Sequence, residues 1–266
     1  MAPARRDLVV VGASAGGVEA LTKFVASLPA NLPAAVAVVL HMPSRGPSAL
    51  HFILSRSGPL RCVPVSDGQP VRPGRVYVAP PDRHLVVSGE QLRLSDEPPA
   101  LGHRPSVDVL FSSAARTRGA RTIGVVLSGA LADGTAGMVA IKSRGGVALV
   151  QDPVEARCSG MPLSVIRHVR VDHVLPVGEI GHQLAHLVGQ QVDADGPVRD
   201  ELSMERALWT ALHTLDEKAE LSRRMRASPL ARAHSYLAER YARAHQEAAE
   251  AADVLRAHLT RRGLEQ

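Results

Sequence analysis

The chain has 266 residues, 45% of them hydrophobic, and a formal net charge of +5 at pH 7, enough for one α/β domain with a substantial core and a small appendage. Its Lys and Arg are interleaved with Asp and Glu, which reads as a solvated surface and argues against a nucleic-acid partner. Only Cys62 and Cys158 are present, without CxxC spacing, so neither a disulfide framework nor a structural zinc site is expected; with no signal-like or membrane-spanning apolar run, the expectation is a cytoplasmic protein with no membrane insertion.

Taken in chain order, the first element is a buried strand from Leu8, LVVVGA, which breaks into a turn carrying Ser14 between Gly12, Gly16 and Gly17. A helix follows over Val18 to Ser27, then a second apolar strand, AVAVVL, which ends directly in His41-Met42-Pro43. Helical spacing recurs over Ser48 to Ser55. Arg61 to Asp96 has a different texture: Arg75 to Ala79 and His84 to Leu94 alternate around Ser88-Gly89, predicting an antiparallel edge or flap. Helices are predicted over Val107 to Arg118, Thr135 to Arg144 and Val177 to Gln190, with strands over Thr122 to Leu127 and Val147 to Val150. This alternation predicts an α/β fold with a doubly wound, mostly parallel sheet and one antiparallel hairpin.

Residues 193–200, opening DADGPV, read as a linker, after which residues 201–266 are almost purely helical. Leu208, Leu212, Leu215 and Ala219 follow 4-3-4 spacing, Ser228-Pro229 interrupts, and Leu237, Tyr241, Ala244, Ala248, Ala251 and Leu255 resume it. The spacing predicts a helical hairpin or a surface for self-association or a regulator. His182 and His186 lie four apart on a predicted helix but lack an acidic or thiol third ligand nearby, so no metal is expected.

The glycine-rich turn after the first strand suits two chemistries. It can present a serine nucleophile at the mouth of a helix, or cradle a phosphate as dinucleotide-binding loops do. A dinucleotide site wants an acidic residue at the end of the second strand, where this chain has His41. The Tyr-x-x-x-Lys pair of short-chain dehydrogenases is also missing, since Tyr77, Tyr236 and Tyr241 are followed four residues on by Pro81, Arg240 and His245. His41 instead stands where it can take a proton from Ser14, and a third strand running into ALADG sets Asp133 at the same sheet edge, where a carboxylate would orient the imidazole. Backbone N–H groups of Ala15, Gly16 and Gly17 at the helix start are candidates to stabilise an oxyanion.

The blocks GASAGG, HMP, RVYVAPPDRH, HRPSVDVLFSSAA, GVVLSGALADGTAGM and GMP, in this order from about Asp7 to Val177, resemble the catalytic domain of chemotaxis methylesterases of the CheB type. The resemblance implies a catalytic domain over residues 1–192. It implies a protein-glutamate methylesterase, with glutamine deamidation as a second activity, acting on methyl-accepting chemoreceptor helices without a cofactor. It further implies Ser14, His41 and Asp133 as the triad. Met42, His103, Arg104 and Ala130 are candidates to line the substrate groove. A catalytically weak scaffold of a chemosensory array is the alternative.

Two departures stand out. The family loop often reads Met-Gly-x-Asp-Gly, whereas this chain has Ala130-Leu131-Ala132-Asp133-Gly134. Only seven residues precede the first predicted strand, which begins at Leu8, so the reading expects no receiver domain within this chain and no control by its own aspartyl phosphorylation.

Overall fold

The structure, a computed structural model, describes residues 4–42, 48–100 and 102–192, and in the C-terminal segment 212, 215, 218–219, 221–228, 232 and 234–261. The chain divides into two compact units, Met1–Asp200 and Glu201–Gln266.

The first unit is built on seven strands: β2 (Leu8–Ala13), β3 (Ala35–Leu40), β4 (Arg61–Pro64), β6 (Arg75–Val78), β9 (Thr122–Val126), β10 (Val147–Gln151) and β11 (His173–Leu175). They pair in the order β11-β10-β9-β2-β3-β6-β4, every pairing parallel. Every residue of β2, β3, β9 and β10 is buried, which is why these strands read as continuous apolar runs. Alternate residues face opposite helical layers. Val9, Val11 and Ala13 pack with α1 (Gly17–Ser27), α2 (Leu50–Ser55) and α6 (Val177–Leu187); Leu8 and Val10 pack with α3 (Val107–Arg118), α4 (Thr135–Ser143) and α5 (Gly160–His168).

From β2 the chain passes to β3 on one side, and from β9 to β10 on the other. The adjacent strands β2 and β9 therefore flank a topological switch point, where the following loops diverge and leave a crevice at the carboxyl edge. Gly12 lets α3 come close beneath that edge, because a Cβ there would lie 2.2 Å from Val107 Cγ1.

The segment Arg61 to Asp96 corrects the sequence reading in part. The hairpin is present as β7 (His84–Ser88) and β8 (Gln91–Ser95), antiparallel in register Ser88↔Gln91, with β5 (Gln69–Pro70) beside β8. Arg75–Val78, however, is no part of it and lies parallel between β3 and β4 in the main sheet. Val76, Tyr77 and Val78 are all buried, so both faces are covered and the local alternation carried no information about which face meets solvent. The helix α5, the strands β4 and β11, and the antiparallel pair β1 (Ala4–Arg5) with β12 (Gln191–Val192) are additions to the expected elements.

In the second unit a helix runs over Ser235–Arg261 and residues 221–226 are helical. Leu212 and Ala252 are buried together, with Leu215 and Leu255 against them, and His245 Nδ1–H donates to Ala219 O at 2.9 Å. These pairs place the two stretches antiparallel, so the apolar seam at these positions is occupied by the hairpin itself. Ala252, rather than the expected Ala251, is the buried residue after Ala248. The expected linker over 193–200 and the expected seam position Leu208 lie outside the described residues.

Because Val107 is stiff and fully buried, Gly12→Ala cannot be absorbed by a rotamer change. It should destabilise the first unit by about 1–3 kcal/mol, read as a lower denaturant midpoint at unchanged slope.

Candidate active site

The carboxyl ends of β2, β3 and β9 converge on one crevice. After Ala13 the chain turns at Ser14, and Gly16 caps α1 at φ 73, a left-handed conformation that glycine adopts without cost. A Cβ at Gly16 would also lie 2.7 Å from Ser128 Oγ. Ser14 N–H donates to Ser128 O at 2.9 Å, and Ser128 Oγ–H donates to Ala15 O at 2.8 Å, so the end of β9 holds the serine turn from below. Beside it, His41 N–H donates to Ala13 O at 3.0 Å, which fixes the end of β3 against the end of β2.

The three chemically active side chains meet. His41 Nδ1 lies 3.2 Å from Ser14 Oγ, and His41 Nε2 lies 2.6 Å from Asp133 Oδ2. The carboxylate can only accept, so Nε2 carries the proton and Nδ1 presents its lone pair to the serine hydroxyl. His41 and Asp133 are nearly closed off from solvent, with side chains 6% and 2% exposed, while Ser14 is half-buried at the crevice mouth.

Asp133 is held by more than the histidine. Its Oδ1 accepts Ser106 Oγ–H at 3.1 Å and Asp108 N–H at 2.9 Å, and its Oδ2 accepts Val107 N–H at 2.8 Å. The carboxylate thus caps the first turn of α3, where N–H groups lack helical partners and the helix dipole favours negative charge. Burial alone would raise this carboxyl, but the hydrogen bond and charge of His41, with the Asp108 and Val107 N–H donors, hold it below its ordinary value. Asp108 goes the other way. Burial, then the neighbouring charge of Asp133, push its carboxyl well above the usual range, and its Oδ1 accepts Gly137 N–H at 2.7 Å at the start of α4. Of these two neighbouring carboxyls, the one facing the imidazole is held toward its charged form and the other toward its protonated form.

Next to His41, the ring of His103 stacks at 3.8 Å between centroids and 8° between planes. Burial, then the charge of His41, lower the His103 pKa and favour its neutral form. A cleft of about 280 Å³ opens here, lined by His41, Met42, Asp82, Gly102, His103 and Arg104. Arg104 is engaged within its own wall: its Nε and Nη2 donate to Asp82 Oδ1 at 3.0 and 2.7 Å, and its Nη1 to Asp96 O and Glu97 O at 3.1 and 3.2 Å. Ala130 lies outside this cleft's lining, exposed in the loop after β9. In that loop Leu131 adopts φ 64 with 42% exposure. The left-handed turn that a glycine would favour is kept, and a leucine side chain is set at the surface instead.

Of the backbone donors at the start of α1, Gly17 N–H is engaged by Ser14 O at 2.8 Å. Ala15 N–H and Gly16 N–H have no acceptor among the described residues and are the donors left for an incoming oxyanion. No group of acidic, histidine or cysteine side chains suited to a metal occurs among the described residues. The sequence reading assigned no role to Asp108 or Ser128 and did not connect Ser106 with Asp133. The usable signal was Ser106 opening an apolar helix, a capping position whose hydroxyl here serves Asp133 instead.

Fold and site together define an α/β protein that carries a hydrogen-bonded serine, histidine and aspartate at the switch point of a parallel sheet. Residues 9–184 match the model of the family "CheB methylesterase", and the chain belongs to that family. A protein-glutamate methylesterase/protein-glutamine glutaminase 2 of Anaeromyxobacter dehalogenans is 42% identical over 184 residues, 69% of this chain and 54% of that protein. A protein-glutamate methylesterase/protein-glutamine glutaminase of Ralstonia nicotianae is 39% identical over 197 residues, 70% of this chain and 51% of that protein. The chain therefore matches about half the length of these curated relatives. The crystal structure of the Thermotoga maritima CheB methylesterase catalytic domain superposes with a TM-score of 0.66 at 35% identity, covering 68% of this chain and 98% of that one.

Asp108→Asn supplies a permanently neutral group where the folded protein favours a protonated carboxyl. The unfolded chain ionises Asp108 above its ordinary pKa, so the wild type takes up a proton on folding and loses stability as pH rises. Urea unfolding between pH 4 and 8 should show Asp108→Asn more stable than wild type at neutral pH, with the gap closing as pH falls toward the ordinary carboxylate range.

Proposed function

We propose that the protein is a protein-glutamate methylesterase that hydrolyses methyl-esterified glutamate side chains on chemoreceptor helices. The observation that carries this reading is the unbroken chain from Asp133 through His41 to Ser14, at 2.6 and 3.2 Å, on three separate strand ends. Its support from relatives is that similar proteins bear that activity in their names.

Ser14 Oγ attacks the ester carbonyl carbon as its proton passes to His41 Nδ1. The negative charge that develops on the carbonyl oxygen falls to the Ala15 and Gly16 N–H groups at the positive end of α1. Asp133 keeps its charge and stabilises the imidazolium. The imidazolium then returns the proton to the departing methoxide, and methanol leaves a glutamyl-serine ester. Water, deprotonated by His41, attacks this ester, and the carboxylate and free Ser14 are restored. A glutamine side chain offers the same carbonyl with ammonia as the leaving group, so deamidation needs no further machinery.

Methanol release from a methylated receptor cytoplasmic fragment tests the reading. Wild type should release methanol and Ser14→Ala should not. Asp133→Asn, which leaves His41 without its orienting charge, should lower kcat by on the order of 10³ to 10⁴. A folded wild type that releases none from several receptors refutes the assignment.

A further inference from the structure

His84, the first residue of β7, is fully buried and lies outside the triad, yet both of its ring nitrogens are engaged. Ser106 N–H points at Nδ1 at 3.2 Å, and Pro98 O faces Nε2 at 3.2 Å. An N–H can only donate and a carbonyl can only accept, so the ring is fixed as the neutral tautomer with the proton on Nε2. Pro98 and Ser106 are the two feet of one turn, closed across its middle by Ala100 N–H to His103 O at 3.1 Å and His103 N–H to Ala100 O at 2.9 Å. That turn holds His103 flat against the His41 ring and sets Arg104 in the cleft wall. Its second foot, Ser106, donates its hydroxyl to Asp133 Oδ1.

We infer that His84 is a positioning residue for the triad: as a single-tautomer staple it holds Ser106 where the Ser106 hydroxyl and the following N–H groups grip Asp133, and fixes the turn that stacks His103 on His41. This rests on Ser14, His41 and Asp133 being the nucleophilic triad. The Ser106 N–H is one of the donors at the start of α3, and without His84 it would be buried with no acceptor. A shift of Ser106 passes to Asp133 directly, and a misplacement near 1 Å at a catalytic group is enough to slow chemistry strongly.

The two nitrogens can be separated by substitution. An asparagine Oδ1 lies as many bonds from Cβ as histidine Nδ1, so His84→Asn keeps the acceptor for Ser106. A glutamine Nε2 lies as many bonds out as histidine Nε2, so His84→Gln keeps the donor to Pro98 and loses the Ser106 acceptor. The full chain is reacted with a fluorophosphonate, which phosphonylates an activated serine with loss of fluoride and needs no receptor substrate. The second-order rate at which the chain is labelled is measured in wild type, Ser14→Ala and both His84 variants, with thermal unfolding to establish folding.

The expected result is His84→Asn within about twofold of wild type and His84→Gln slower by about tenfold or more. Equal rates for wild type and both variants, or equal losses in both, overturn the inference while leaving the triad in place. A wild type that labels no faster than Ser14→Ala overturns the triad reading, and the inference with it. If a variant does not fold, ¹⁵N-imidazole NMR of the wild type decides: a neutral His84 with its proton on Nε2 at pH 7 supports the staple, and a doubly protonated or Nδ1–H ring overturns it.

Discussion

The arrangement at the crevice depends on one buried charge. Asp133 sits with its side chain 2% exposed, where an ionised carboxylate would be costly without partners. It is stabilised because α3 begins directly against it and supplies two N–H groups and a serine hydroxyl, with His41 as the fourth donor. The same contacts that make the charge tolerable also aim it. They determine which nitrogen of His41 carries the proton, and so which nitrogen faces Ser14.

The close approach of α3 is in turn a property of the sheet. Val107 stands against Gly12 on β2 and would collide with a Cβ both there and at Gly134. Small residues at the strand ends therefore let the helix N-terminus reach a carboxylate presented by the loop after β9. Asp108, one residue into the same helix, faces the start of α4 and accepts Gly137 N–H. One helical turn thus shifts Asp133 toward its ionised form and Asp108 toward its neutral one, although both are neighbouring aspartates. Environment decides the division of labour between them.

The wall beside the triad is organised by polar side chains that bind one another. Arg104 closes on Asp82 and on two backbone carbonyls, and His103 lies on His41. A cationic side chain that the sequence offered as a candidate to line the substrate groove is thus engaged in its own scaffold. The cleft it borders presents a neutral ring and a closed ion pair, a surface whose shape is preset before any substrate arrives.

The sequence by itself determined the parallel sheet and the three strand ends that carry Ser14, His41 and Asp133 to one edge. Strands buried on both faces must be apolar throughout, and turn-forming residues such as Gly, Pro and Asp mark where they leave the sheet edge. It could not place Arg75–Val78, because a short alternating run reads as a hairpin until both of its faces are known to be covered. Only the tertiary structure decided that Ser106 serves Asp133, that Gly17 N–H is already engaged, and that His84 joins the two feet of the cleft wall. Those are contacts between residues distant in the chain, and such contacts leave no periodic trace in sequence because each depends on how separate elements come to rest against one another.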